Sequence, residues 1–547
     1  MSALPTAIDP VSVQIVRNRI ACLMDEMQHQ FFRSGYSTIV RESRDFSCVI
    51  VDEEGRLITS PPMFYHATAY YHLAQSILKL YGRETLSDGD VFVSNHPYEG
   101  FTPHAPDMAI MAPVIVDGRL VAFSAAIAHK ADIGGTVPGS SYGAATEMFQ
   151  EGMMLPPVRL YSSGVVNRDL ERLVAANSRQ PALVIGDMRS QTGAVLSGCE
   201  RMKDLVLEYG AAGLKAILDE AIDAAGREMA QALRCLPDGE SIAETFLDND
   251  GDRVEAPVRL HVKVTVRSGH VTFDFSGSDD QRRIPVNLRP PLVEAACFHA
   301  LIALLDPTLR YSDSARQHVD FILRPGSIVN ANPPAPCSNY MKVCQRLIDV
   351  VIEALNPFCP RRAAAHAGGS GGSIVAAWGP GPRTVHHNQH EIFGSSYGGT
   401  AQCDGAAGTT VHMSNIYVTP IEIVETEFPC RVTKFELMPN SGGDGEFRGG
   451  NSFRREYLAL QPGVVLYRGD KTRFPSRGVM GGQDGRKSRF LVDPDGPTEK
   501  QMPANCRIEV QPGDRFRIEA PAGGGYGDPA KRTAEALARD RDDGFTN

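Results

Sequence analysis

Two apolar runs separated by Asp117-Gly118 constrain this chain more than any other feature. Residues 107–116, DMAIMAPVIV, and 119–128, RLVAFSAAIA, flank a two-residue turn of the kind that closes antiparallel hairpins. With Val116 opposite Arg119, strict register carries Asp107 to a place opposite Ala128. His129 then lies one residue further along, at the same open end. His104 stands three residues before Asp107. Imidazole and carboxylate donors in this mixture suit zinc, manganese or iron. Strict alternation, however, sends Asp107 and His129 to opposite faces. A bulge, or loss of pleat at the strand ends, is needed to bring them together. Pro113 inside the first strand already signals an edge or an irregularity.

The remaining chain alternates between helix and strand signals. Asp9-Pro10 reads as an N-cap followed by Pro in the first turn, and Val13, Val16, Ile20, Leu23, Met27 and Phe31 recur on one helical face. Residues 46–58 read as strand, turn, strand. Residues 204–235 read as one helix weakened by Gly210 and Gly213, ended by Pro237-Asp238-Gly239. From 256 the period becomes two, with Val258, Leu260, Val262, Val264 and Val266, then Val271, Phe273 and Phe275 beyond a turn. Residues 291–305 and 341–355 read as helices, and 366–410 as a Gly-rich loop region. Short strands between Gly clusters follow from about 421, and the charged segment 529–547 is expected to fray.

A chain of 547 residues exceeds the roughly 250–300 residues at which single cores stop growing. The expected architecture is therefore a multi-domain mixed α/β (α+β) fold. It comprises an N-terminal metal-binding domain of hairpins and long helices (1–237), a middle α/β domain with Gly-rich loops (238–420) and a C-terminal β-rich domain with a charged tail (421–547). The middle and C-terminal regions are expected to be rich in antiparallel strands.

A net charge of -10 argues against nucleic acid or an anionic membrane as the main partner. Eleven Cys stand singly with no Cys-x-x-Cys pair, which fits a reducing compartment. The first residues lack a basic stretch followed by an apolar run, and no stretch approaches the roughly 18 apolar residues of a membrane span. The expected location is the cytoplasm.

Other candidates carry less chemistry. Asp45 stands at the mouth of the strand that begins at Phe46, with Arg41 and Arg44 near enough for a solvated ion pair. His386, His387 and His390 read as a solvated loop. His66 and His72 flank Tyr70-Tyr71 and suit a pocket wall. No G-x-x-x-x-G-K-[ST] stretch and no G-x-S-x-G is present, so neither an ATP site nor a serine nucleophile is expected on this chain.

The stretch GDVFVSNHPYEGFTPHAPDMAIMAPVIVDGRLVAFSAAIAHKADIGGTVPGS (89–140) resembles the hydantoinase B family, which includes B-type oxoprolinase regions and acetone and acetophenone carboxylase subunits. The similarity continues through FQEGMMLPPVRL (149–160), ANSRQP (176–181), FDFSGSDDQ (273–281), RPGSIVNANPPAP (324–336), PNSGGDGEFRGG (439–450) and PAGGGYGDP (521–529). It implies a divalent metal, zinc or manganese, held by Asp45, His104, Asp107 and His129. It also implies an A-type partner chain that binds ATP and phosphorylates the substrate. A metal-activated water would then open a cyclic amide such as a hydantoin, a lactam or 5-oxoproline, with Asp132 or Glu151 as proton acceptor. Many relatives have His-His-Ala-Asp-Ile-Gly-Gly where this chain has His129-Lys130-Ala131-Asp132. Lys130 is therefore expected to alter substrate choice. His96 likewise stands where Asp is common. Two alternatives remain open at this point: a ketone carboxylase subunit, and a scaffold subunit with a structural metal.

Overall fold

Asp9 and Pro10 start the first helix. The Asp9 carboxylate accepts hydrogen bonds from the Val11 and Ser12 amides, two of the donors that every helix start leaves free. The helix runs Pro10–Ser34 and buries the predicted apolar stripe, with Met24 added to it. The structure, a computed structural model, describes residues 8–140, 142–248, 257–379 and 387–547.

That stripe lies against a six-stranded antiparallel sheet. Its strands are β1 (Phe46–Asp52), β2 (Val91–Ser94), β3 (Asp107–Val116), β4 (Arg119–His129), β5 (Val158–Ser162) and β6 (Val165–Val166), in the order β1-β4-β3-β2-β5-β6. The second strand expected within 46–58 does not form. The Asp52 carboxylate captures the Glu54 and Arg56 amides, which turns the backbone away from a ladder. Leu57 makes only an isolated bridge to Val51, and β1 pairs with β4 instead.

The β3–β4 hairpin contains the required bulge. Val114 faces Ala122 and Ile115 faces Leu120, so Val121 is the extra residue. The slip moves every pair beyond it by one place. Asp107 therefore stands opposite His129, not Ala128, and directly opposite residues share a face.

The helix predicted over 204–235 is two helices, Pro181–Tyr209 and Ala211–Leu233. Gly210 breaks them apart, with φ 71° and ψ 153°, a conformation that a side chain rarely tolerates. Gly213 sits within the second helix without interrupting it. The helices Pro10–Ser34 and Pro181–Tyr209 pack together over the same sheet.

The period-two region forms a second sheet of β7 (Gly239–Leu247), β8 (Val258–Arg267), β9 (His270–Asp274) and β10 (Val319–Ile322). Its alternation matches the sequence, with Val258, Leu260, Val262, Val264 and Val266 buried. The helices Pro290–Leu305 and Tyr340–Leu355 pack against each other, and the second also packs on β7 and β8.

The Gly-rich region 366–410 is not all loop. It carries β11 (Gly372–Trp378) and β12 (His387–Phe393), which join the strands Gly463–Arg468 and Asn505–Val510 in one antiparallel sheet. The C-terminal segment is docked. A helix at Ala534–Asp542 buries Asp540, which pairs with Arg448 and Arg532. One apolar cluster runs from Val13 to Phe358, across residue 237, and also takes in Met413 and Ile416. A second runs from Ile374 to Ala520. No helix among the described residues is long and apolar enough to cross a membrane.

A Cβ added at Gly210 meets nothing within 4 Å, so only the backbone conformation resists a substitution there. Gly210→Ala is expected to destabilise the chain by about 1–3 kcal/mol, read from a lower urea midpoint.

Candidate metal centre

The register slip gathers a cluster at the open end of the hairpin. One ligand atom from each of His104, Asp107 and His129 lies within 4.8 Å of the others, and all three residues are buried. His104 Nε2 is 3.3 Å from Asp107 Oδ1, and the His104 and His129 rings are centred 5.1 Å apart. His104 Nδ1 lies 3.0 Å from the Ser338 carbonyl, which can only accept, so Nδ1 donates there and Nε2 is the atom turned to the centre. His129 Nδ1 is buried without a hydrogen-bond partner.

Asp45 joins this end through the backbone. Its carbonyl accepts the His129 amide, extending the β1–β4 pairing past Phe46. The side chain lines the same pocket as His104 and His129. The solvated ion pair that Arg41 and Arg44 offered does not form. Arg41 pairs with Glu42 and Glu427, and Arg44 lies over the rings of Phe32 and Tyr417.

The electrostatics fit a cation. Burial and the charge of Asp107 both push Asp45 upward from its usual range. Burial also acts on Asp107, but the imidazoles of His104, His66 and His129 outweigh it and hold that carboxylate down. Burial pushes His129 down to about 3 and His66 down to about 4, so both are neutral at neutral pH, the form that coordinates. Among the described residues, no Lys or Arg makes an ion pair with Asp45 or Asp107. Two buried carboxylates, an unpartnered imidazole nitrogen and an oriented His104 Nε2 make a donor set suited to a divalent ion.

Lys130, expected to alter substrate choice, and Asp132 and Glu151, expected as proton acceptors, are not among the residues that line the pocket. Lys130 follows His129, and alternation turns it to the opposite face. There it is fully buried, donates to Gln191 Oε1 at 2.6 Å and lies over the Phe31 ring. Asp132 is engaged on both oxygens. Oδ1 accepts from the Gly134 and Arg179 amides, and Oδ2 from the Gly139 amide and the Arg179 guanidinium. It staples a loop with both oxygens. Glu151 accepts from the Cys337 and Ser338 amides and thereby holds the turn whose carbonyl orients His104. Glu151 therefore supports His104 from behind.

Several pocket residues escaped the sequence reading. His390, expected on a solvated loop, is buried on β12, its ring centred 4.8 Å from that of His129. His386 lies outside the described residues, and His387 begins β12. Tyr340 directs its hydroxyl to Asp107 Oδ2 at 3.4 Å. Asn339, Lys342, Ser370, Ser373 and Arg468 complete much of the wall. Of the two His expected at a pocket wall, His66 sits behind the cluster, with Nδ1 on Ser47 Oγ at 2.8 Å and Nε2 3.9 Å from Asp107 Oδ2. His72 instead stacks on Phe101. His96 caps the turn that follows it: its Nδ1 accepts the Tyr98 and Glu99 amides.

Fold and site together define a class: a mixed α/β chain with a buried imidazole–carboxylate cluster at the open end of an antiparallel sheet. The chain belongs to the hydantoinase B/oxoprolinase family, whose model matches residues 9–529. A protein of Pseudomonas sp. (strain NS671) that is named as the B chain of a D-/L-hydantoinase is 30% identical, over 98% of this chain and 93% of its own length. The beta chain of the caprolactamase of Pseudomonas jessenii is 27% identical over 99% of this chain and 94% of its own. The crystal structure of the ATP-dependent caprolactamase from that organism superposes with a TM-score of 0.91 at 25% identity, covering 99% of this chain and 95% of that one.

Lys130→Met is expected to shift the thermal midpoint, because it empties a buried hydrogen bond, while metal content per chain stays at the wild-type level. Loss of metal with an unchanged midpoint would contradict the placement of Lys130 on the far face.

Proposed function

We propose that this chain is the metal-bearing B-type subunit of an ATP-dependent cyclic-amide hydrolase. In this reading an A-type partner binds ATP and phosphorylates the substrate, and this chain opens the ring of a hydantoin, a lactam or 5-oxoproline. The convergence of His104, Asp107 and His129 on one buried point, with Asp45 beside them, carries the proposal. The relatives support the substrate class, since their names span hydantoinase, caprolactamase and 5-oxoprolinase. The 5-oxoprolinase of Dictyostelium discoideum is a longer protein, and this chain aligns with 40% of it.

Asp45, His104, Asp107 and His129 would hold the ion. When bound, it would supply Lewis acidity to a water or to the substrate oxygen. The protein's own part is orientation. Glu151 fixes the 337–338 turn, Ser338 orients the His104 ring, and Ser47 and Tyr70 fix His66 behind Asp107. Tyr340, Asn339 and His390 present hydrogen-bonding groups to the space where a small cyclic substrate would sit. The carboxylate-rich, Cys-free donor set supports a catalytic site over a closed structural one.

The test is co-expression with an A-type partner and assay of ring opening of hydantoin, caprolactam and 5-oxoproline. Turnover is expected only with ATP and a divalent metal, lost on chelation and restored by added metal. His129→Ala or Asp107→Asn is expected to cut turnover by about a thousand-fold, since Lewis-acid stabilisation contributes several kcal/mol. Glu151→Gln is expected to cost about 10–100-fold, the usual effect of removing a group that orients a ligand. Full activity of the isolated chain without ATP would overturn the two-subunit reading. ATP consumption that required a ketone and bicarbonate would replace hydrolysis with carboxylation.

A further inference from the structure

The pocket has two chemically different kinds of lining. Asp45, His104 and His129 supply one, and Arg468 and Lys342 supply the other, with Arg468 3.5 Å from His390 Nε2 and the His390 ring centred 4.8 Å from that of His129. The positions of the two cations are explained by their elements. Lys342 lies in the first turn of the helix Tyr340–Leu355, and Arg468 is the last residue of the strand Gly463–Arg468, paired with Ser373 of β11.

Two buried cations close to them in the chain are neutralised. Arg346, one turn after Lys342, pairs with Asp470 at 2.5 Å and Asp248 at 3.3 Å. Lys471, three residues after Arg468, pairs with Asp349 at 3.0 Å. Arg468 and Lys342 have no such partner among the described residues. Arg468 donates to Asn339 Oδ1 at 3.1 Å, lies 3.5 Å from His390 Nε2, and keeps a buried Nε without an acceptor. Lys342 donates to Asn505 Oδ1 at 3.1 Å and to the Gly469 carbonyl at 3.4 Å, both neutral. A half-buried guanidinium and ammonium gain from a counter-charge, and a guanidinium presents its donors in the fork that matches carboxylate or phosphoryl oxygens. Glu151 acts on Arg468, and Asp470 and Asp248 on Lys342, only from beyond ion-pair distance, so the pocket that both cations line is where an anion would be neutralised.

We propose that Arg468 and Lys342 form an oxyanion-binding wall that holds an anionic oxygen group of the substrate, phosphoryl or carboxylate, facing the His104–Asp107–His129 cluster. The proposal rests on the hydrolase reading for the identity of that group. A phosphoryl group would come from activation by the partner, and a carboxylate from the substrate itself. Either anchor places the rest of the ligand at the candidate metal end.

Inorganic phosphate and acetate, titrated calorimetrically into the full-length chain with and without bound manganese, test this. Metal binding is measured separately on each protein. The wild type is expected to bind at least one of the two anions at one site per chain. Arg468→Gln and Lys342→Met are each expected to weaken that binding at least tenfold, with Arg468→Lys retaining part of it. Arg172→Gln, an equal charge loss at an exposed position, is expected to leave it unchanged. Preference for phosphate assigns the wall to an activated intermediate, and preference for acetate assigns it to a substrate carboxylate. Wild-type affinity for both anions in Lys342→Met and in the Arg468 variants, or no binding of either anion to the wild type, would overturn the proposal. Anion binding that depends on Arg468 in a chain that takes up no metal would sink the metal reading and leave the oxyanion wall standing. If Arg468→Gln does not fold, Lys342→Met decides.

Discussion

At Val121 the ladder between β3 and β4 slips by one residue, and that slip sets which side chains meet at its open end. With a regular hairpin Asp107 would face Ala128, and His129 would point into the helices Pro10–Ser34 and Pro181–Tyr209. With the bulge, His129 shares a face with Asp107, and Lys130 takes the place among the helices. The rest of the site is arranged around this pair. The β1–β4 pairing delivers Asp45 through the His129 amide. The turn at 337–338, tied down by Glu151, delivers the carbonyl that orients His104.

The cost of this arrangement is electrostatic. Two carboxylates, Asp45 and Asp107, are buried close enough to raise one at the expense of the other, with the His104 imidazole and the Tyr340 hydroxyl beside Asp107. Removing charges from water without compensation is strongly unfavourable. Two other buried carboxylates meet cations, Asp349 with Lys471 and Glu391 with Arg455. On the proposed reading the missing compensation at Asp45 and Asp107 is a divalent ion. The converse holds for Arg468 and Lys342 on the same pocket, which form no ion pair among the described residues.

Much of this is legible in the sequence. The Asp117-Gly118 turn, the His104-x-x-Asp107 spacing and the register arithmetic together locate the cluster and require a bulge. The arithmetic cannot say where the bulge lies, because Val121 and its neighbours are all apolar and fit either strand position. Local pattern fails where tertiary pairing decides the outcome. His390 sits in HNQHEIF, a polar string with no strand periodicity, and becomes a buried strand only because β11 pairs with it. Tyr340, Lys342 and Arg468 reach the pocket from elements more than two hundred residues beyond His129, a juxtaposition that no spacing rule encodes. Lys130, Asp132 and Glu151 show the opposite relation of sequence to place. Each lies near the cluster in sequence or matches a distinctive stretch, yet strand alternation or a ring of backbone amides turns it to structural work. The charged tail docks where fraying is expected because its anchor, Asp540, finds Arg448 on a distant loop.

X-ray diffraction from crystals grown with manganese or zinc, recorded at the metal's absorption edge, tests the central claim most directly. One anomalous peak per chain is expected, bonded to His104 Nε2, an Asp107 oxygen and His129, with Asp45 at the same ion. The peak is expected to vanish in His129→Ala crystals of unchanged fold. An ion bound elsewhere with this cluster empty, or full occupancy retained in the His129→Ala chain, would contradict it.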